Sequence, residues 1–265
     1  MTRTPDRLAD LQDRGVTVRR GDFSEPESLL SAFAGCDRML LISTLDIGER
    51  RRKEHRNAIE AAVQAGVKHI VYTSSVGVHP RCPGLSTGDH LYSEQLLRTS
   101  GVDFTLMRNS QYAEVIATMI APMAIATGQL TMSTGDGCMA FVSRRDCAEA
   151  AVTVLTTPGH EGAVYEITGP ELLSFRDVAV LASELSGKPV PYVVVSDEEK
   201  LAIFDAAGIP REFEEGMEGW ASTEMASYER SLREHYFAVL THHFQLITGR
   251  QPRSLREVFI EHRVG

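Results

Sequence analysis

The side chains best equipped for proton and hydrogen-bond chemistry recur at the ends of short apolar runs. Ser43 closes Arg38-Met-Leu-Leu-Ile-Ser43 and is followed by Thr44; Ser74 closes Lys68-His-Ile-Val-Tyr-Thr-Ser74 and is followed by Ser75. Met107 closes Val102-Asp-Phe-Thr-Leu-Met107 and leads to Arg108, Asn109 and Tyr112. If these runs are parallel strands, their carboxyl ends meet at the crevice where open α/β sheets bind ligands. His90 stands a little downstream, and imidazole is the side chain that exchanges a proton near neutral pH. This set suits holding a small molecule and moving one proton. Metal chemistry is not expected: His242 and His243 are adjacent and point apart on a helix, and neither they nor His235 have an acidic or cysteine partner at ligand spacing. Cys36, Cys82, Cys138 and Cys147 form no C-x-x-C pair and read as small buried or half-buried hydrophobes in a reducing compartment.

The elements that must position these groups alternate strand and helix, the pattern of parallel βαβ units. Strands are expected at 16–20, 38–43, 68–74, 102–107 and 162–168. Helices are expected over 24–33, capped by Ser24 with Pro26 in the first turn, over 49–65 ended by Gly66, and over 90–100 ended by Gly101. Asp146 is expected to cap the next helix, and Phe175 to Ser186 to form another. Further helices are read over 197–207, 223–247 and after Ser254. The reading is a Rossmann-like, doubly wound α/β sheet over 1–110 and 141–190, with a smaller, mainly helical covering lobe over 111–140 and 191–265.

At 265 residues and 43% hydrophobic content the chain has ample material for a core. A net charge of −9 and a pI near 5.5 argue against nucleic acid as a partner. The one basic run, Arg50-Arg-Arg-Lys53, is interleaved with Glu49, Glu54 and His55 and is expected on a solvated helix face. No apolar stretch approaches a membrane span and the N-terminus is polar, so a cytoplasmic protein is expected. A homodimer is compatible with this composition.

Seven segments in order resemble one family: Arg19-Arg-Gly-Asp-Phe23, Leu40-Leu-Ile-Ser43, Gly66 to Ser75, His90-Leu-Tyr-Ser-Glu94, Ser100 to Asn109, Gly135-Asp-Gly137 and Tyr165-Glu-Ile-Thr-Gly169. Together they look like the NmrA-like atypical short-chain dehydrogenases, in particular the branch of type 2 NAD(P)H:quinone oxidoreductases and triphenylmethane reductases. That resemblance implies an NADP cofactor, a flat aromatic or quinone substrate and hydride transfer. It implies Arg3 at the 2′-phosphate, Asp22 and Phe23 around the adenine, and Ser43, Thr44 and Ser74 towards the ribose and nicotinamide. Aligning Glu94 with the family's helix glutamate puts His90 at the usual lysine position and Ser86 at the usual tyrosine position. His90 then serves as proton source or ribose contact, and direct hydride transfer to a conjugated acceptor needs little enzyme acid. Asn109, Tyr112 and Met107 are implied at the substrate, with Met119, Met123, Met132 and Met139 as an adaptable apolar floor.

No glycine-rich phosphate loop precedes the segment at 16–20. The sheet is therefore expected to be incomplete at its N-terminal side, short of about 30 residues of strand, glycine turn and helix that would cradle the pyrophosphate. Three accounts follow: a start further upstream, a member that has lost the cofactor and works without one, or a redox-sensing regulatory binder of the NmrA type without turnover.

Overall fold

The computed structural model describes residues 1–213 and 221–264; residues 214–220, part of the expected covering lobe, lie outside them. Four parallel strands, β1 (Arg38–Leu41), β2 (His69–Ser75), β3 (Asp103–Asn109) and β6 (Val164–Ile167), pair in the order β1-β2-β3-β6. Registers such as Leu41↔Tyr72, Ser75↔Asn109 and Asn109↔Ile167 bring the carboxyl ends of β2, β3 and β6 level. Strand alternation sends Ile70, Tyr72 and Leu106 to one face and Val71 and Met107 to the other, so both faces need covering.

Helices α2 (Pro26–Phe33), α3 (Glu49–Gln64) and α4 (Leu85–Thr99) follow the short α1 (Ala9–Asp13); the first face buries Leu29, Phe33, Ile59 and Leu97 from these. On the opposite face Cys147, Ala150 and Val154 of α7 (Arg144–Thr156) and Phe244 of α11 (His243–Thr248) meet the sheet. A third core gathers the remainder. It holds α5 (Ala113–Val115), which runs through a π turn at Ile116–Ile120 into α6 (Ala121–Thr127), together with α8 (Phe175–Ser186), α10 (Ser222–Arg233) and α12 (Leu255–Glu261). Two small sheets form, β4 (Leu130–Met132) with β8 (Tyr192–Val194) and β5 (Cys138–Met139) with β7 (Leu173–Ser174), and Lys200 of α9 (Asp197–Ala206) donates to the Thr131 carbonyl of the first. The sequence reading groups α8 with the sheet, yet its apolar face Phe175, Val178, Ala179 and Ala182 belongs to this third core.

Several elements differ from their sequence-based expectation. Residues 16–20 do not form a strand: among the described residues the segment makes the bridge Thr2↔Arg20 and finds no neighbouring strand to offer it a ladder. Ser24 does not cap α2; its amide and hydroxyl both bind Asp22 Oδ1 in a local turn, at 2.9 and 2.8 Å. The α7 cap is Ser143, whose hydroxyl accepts from the Asp146 amide, while Asp146 lies inside the first turn. Helix α4 starts five residues before His90, at Leu85. The helix expected over 223–247 breaks after Arg233, where His235 takes a left-handed φ of 62° and the chain turns Phe237 inward. Gly77 also takes a left-handed φ, 76°, and a Cβ there would meet the Phe237 ring at 2.6 Å. The basic run is not wholly solvated, since Arg51 is buried. Cys36 is exposed and not half-buried.

Candidate functional site

A cavity of about 150 Å³ opens at the carboxyl ends of β1, β2 and β3. A volume of ~150 Å³ accommodates a benzene-sized ring. Ser43, Ser74, Ser75, His90, Asn109 and Ser110 make its polar side; Val76, Met139, Tyr228 and Phe237 make its apolar side, with Gln111 and Tyr112 between. The rings of Tyr228 and Phe237 lie 4.9 Å apart, and the Tyr228 hydroxyl donates to Gln111 Oε1 at 2.8 Å. Tyr112 is backed by the Arg144 guanidinium, 5.0 Å from the ring centre.

Each polar group is held from behind. The Ser74 hydroxyl donates to Glu94 Oε1 at 2.7 Å, which leaves its lone pairs to accept from a ligand. Glu94 is clamped by Arg108, whose Nε and Nη2 donate to its two oxygens at 2.8 and 2.6 Å, while Arg108 Nη1 reaches Glu166 Oε1 at 3.2 Å. The loop after β1 is fixed by β2, α3 and α4: the Ser43 amide donates to Thr73 Oγ1, the Thr44 amide to His55 Nε2 and the Gly48 amide to Asp89 Oδ2, and Arg51 Nη2 donates to the Thr44 carbonyl. His90 Nδ1 lies 2.7 Å from the Tyr72 hydroxyl. Asn109 Oδ1 and Ser110 Oγ are buried with no partner among the described residues, so two lining groups have unused hydrogen-bonding capacity.

Burial, reinforced by the Arg51 charge, lowers the His55 pKa to about 3 and holds His90 well below the usual imidazole range. With folded pKa values below the unfolded value of 6.5, the stability both histidines contribute is present above about pH 6.5 and lost as pH falls towards 3. Between pH 6.5 and 5, His55→Asn should therefore lose less stability than the wild type, by up to about 2 kcal/mol over that range. Glu166 and Glu224, pushed up by burial, act in the opposite sense and cancel in the difference. Urea titrations with identical pH slopes for both proteins would refute this.

Of the residues singled out in the sequence, Ser43, Ser74, His90, Asn109 and Tyr112 converge on the cavity. Thr44 stands one residue behind, its hydroxyl buried on the side of the Glu54 carboxylate. Met107 does not face it: the side chain is 1% exposed and packs with Cys147 and Phe244 on the far face of the sheet, because strand alternation turns it away from Arg108. The methionine floor shrinks to Met139; Met119 and Met123 are exposed and Met132 belongs to the third core. Arg3 is exposed, Asp22 is engaged by Ser24, and Phe23 accepts from Asn57 Nδ2 through its carbonyl at 2.8 Å; none lines the cavity. Ser86 sits near Glu224 in the first turn of α4 and does not line it either. His243 Nδ1 accepts the Glu166 amide at 3.0 Å. Tyr228 and Phe237 escaped sequence reading because they come from a distant segment read as one unbroken helix; Ser110 and Gln111 adjoin Asn109 and could have been included on adjacency.

The profile of the NAD(P)H-binding family matches residues 1–158, more than half of the sequence. The chain belongs to the NAD(P)H-binding family. It is 37% identical over 210 residues to the protein named Quinone oxidoreductase 2 of Escherichia coli, covering 79% of this chain and 72% of that one. The crystal structure of NADPH-dependent quinone oxidoreductase QOR2 complexed with NADPH from Escherichia coli superposes with a TM-score of 0.88 at 31% identity, over 98% of this chain and 88% of that one. Citrobacter sp. triphenylmethane reductase complexed with NADP(H) gives a TM-score of 0.86 at 30% identity, with the same coverage. The family and the branch that the seven segments resemble are thus borne out, as is the Rossmann-like parallel sheet.

Proposed function

We propose that this chain is an NAD(P)H-dependent reductase of quinone-like or conjugated aromatic compounds. The observation that carries the reading is one ring-sized cavity with hydrogen-bonding groups on one side and an aromatic wall on the other, at the strand ends of a fold whose relatives are named for that chemistry. The lining residues fit a nicotinamide: Ser110 Oγ has hydrogen-bonding capacity to spare, and the Ser74 lone pairs accept an amide N–H. Bound NADPH supplies the hydride. Tyr228, Phe237 and Met139 exclude water from one face of a flat acceptor, Asn109 and Tyr112 orient it, and His90 meets an oxygen at the polar side. A conjugated acceptor spreads the arriving electron pair, so its last proton can come from water. Phe23 meets Asn57 of α3 and Arg3 lies near Asp22; the three are proposed for the adenosine half, with Arg3 at a 2′-phosphate.

NADPH titrated into the purified protein should bind saturably, with rising nicotinamide fluorescence. At about 100 times Kd it should add about 2.7 kcal/mol, raising Tm by about 5–10 °C. Quinone-dependent NADPH oxidation should accompany it. A cooperatively folded protein showing neither binding nor shift would overturn the reading in favour of a cofactor-free or regulatory role.

A further inference from the structure

We infer that His55 and Tyr72 are positioning residues that lock His90 in one tautomer, with Nδ1 accepting and Nε2–H presented to the cavity as a donor. The chain of assignments starts from a group with no freedom. The Thr44 amide can only donate, and its partner at 3.1 Å is His55 Nε2, so that nitrogen carries no proton. Neutral His55 must then carry its proton on Nδ1, which donates to Ser93 Oγ at 2.8 Å, and Ser93 passes its own proton to the Asp89 carbonyl at 2.9 Å. The Tyr72 hydroxyl has two imidazole nitrogens near it, His55 Nδ1 at 3.4 Å and His90 Nδ1 at 2.7 Å. The first bears a hydrogen, and Ser93 Oγ, the other hydroxyl beside Tyr72, already accepts that hydrogen, so the phenol proton goes to His90 Nδ1, the shortest contact. His90 is left with its hydrogen on Nε2, and the ring lines the cavity beside Ser43 and Ser74. One backbone amide after β1 therefore sets, through α3 and β2, the polarity of a group on α4.

The consequence deepens the reductase reading and rests on it: His90 is a neutral donor to an acceptor oxygen and not an acid that reloads from solvent. The charged and titratable groups around the trio are Arg51 on α3, Asp89 and Glu94 on α4 and Glu224 on α10; Arg51 opposes protonation of either imidazole. Without the Tyr72 hydroxyl, His90 Nδ1 is free to take a proton and the tautomer is no longer set.

Long-range proton–nitrogen correlation NMR on ¹⁵N-labelled, ligand-free protein tests this directly, with His90 assigned by its loss in His90→Asn. A protonated Nε2 and bare Nδ1 on His90 are expected from pH 8 to 6; a proton on Nδ1 would overturn the inference whatever the protein does with NADPH. In Tyr72→Phe, His90 should show mixed tautomers, kcat/KM for a soluble quinone should fall several-fold, and an acid limb should appear in its pH profile. An unchanged tautomer and pH profile in that variant would also overturn it. If Tyr72→Phe does not fold, the wild-type spectrum decides alone. Lack of quinone turnover in a wild type with the expected tautomer would instead count against the reductase reading.

Discussion

Replacing Arg108 by methionine should destabilise the protein by about 3–5 kcal/mol, the cost of leaving one member of a buried ion pair without its partner. Glu94 has a side chain only 2% exposed, and Arg108 binds both its oxygens while also reaching Glu166. The carboxylate pair in turn pushes the Arg108 pKa up, chiefly through the Glu94 hydrogen bonds, so no ionisation relieves the cluster from the arginine side. The change reaches the cavity as well. Without the two guanidinium hydrogen bonds nothing fixes the Glu94 carboxylate that accepts from Ser74, so the contact that orients the Ser74 hydroxyl toward a ligand loosens. Arg108→Lys should recover part of the loss, since it restores charge without the planar fork. Denaturant unfolding checks this: a loss below about 1 kcal/mol in Arg108→Met would mean that Glu94 is not held by this pair.

His90→Ala should lower kcat/KM for quinone reduction at least about tenfold, equivalent to about 1.4 kcal/mol of transition-state stabilisation. It should also cost about 1–3 kcal/mol of stability, because the buried Tyr72 hydroxyl loses its acceptor. The two effects separate in the double variant. Tyr72→Phe with His90→Ala removes both partners, so much of the stability should return while activity stays low. Steady-state kinetics and urea midpoints on the same four proteins supply both readouts. Full activity in a folded His90→Ala protein would remove His90 from the site, whereas recovery of activity in the double variant would show that the single change acted through misfolding.

The layer architecture and the crevice were legible in the residues alone. Continuous apolar runs such as 68–74, each set between a glycine-closed helix and the next, can be satisfied only as strands covered on both faces, and their ends then collect Ser43, Ser74 and Asn109. The seven ordered segments carried the family because order and spacing survive where single motifs are weak. Side-chain direction and long-range partnership were decided by the tertiary structure alone. Met107 and Arg108 are neighbours in sequence, yet strand alternation buries one against α7 and aims the other at Glu94. Arg51 sits in a run that reads as solvated, but the carbonyl of Thr44 draws it inside. Val16 to Arg20 has strand composition and no strand, because a ladder needs a partner and local propensity cannot supply one. Phe237 joins Tyr228 of α10 at the cavity only because the helix breaks near His235, a left-handed turn that no glycine or proline marks in the sequence. The tautomer of His90 is the furthest removed from sequence: it depends on Thr44, His55, Ser93 and Tyr72 coming from three separate elements and a loop, and hydrogen-bond polarity is defined only once all of them are in contact.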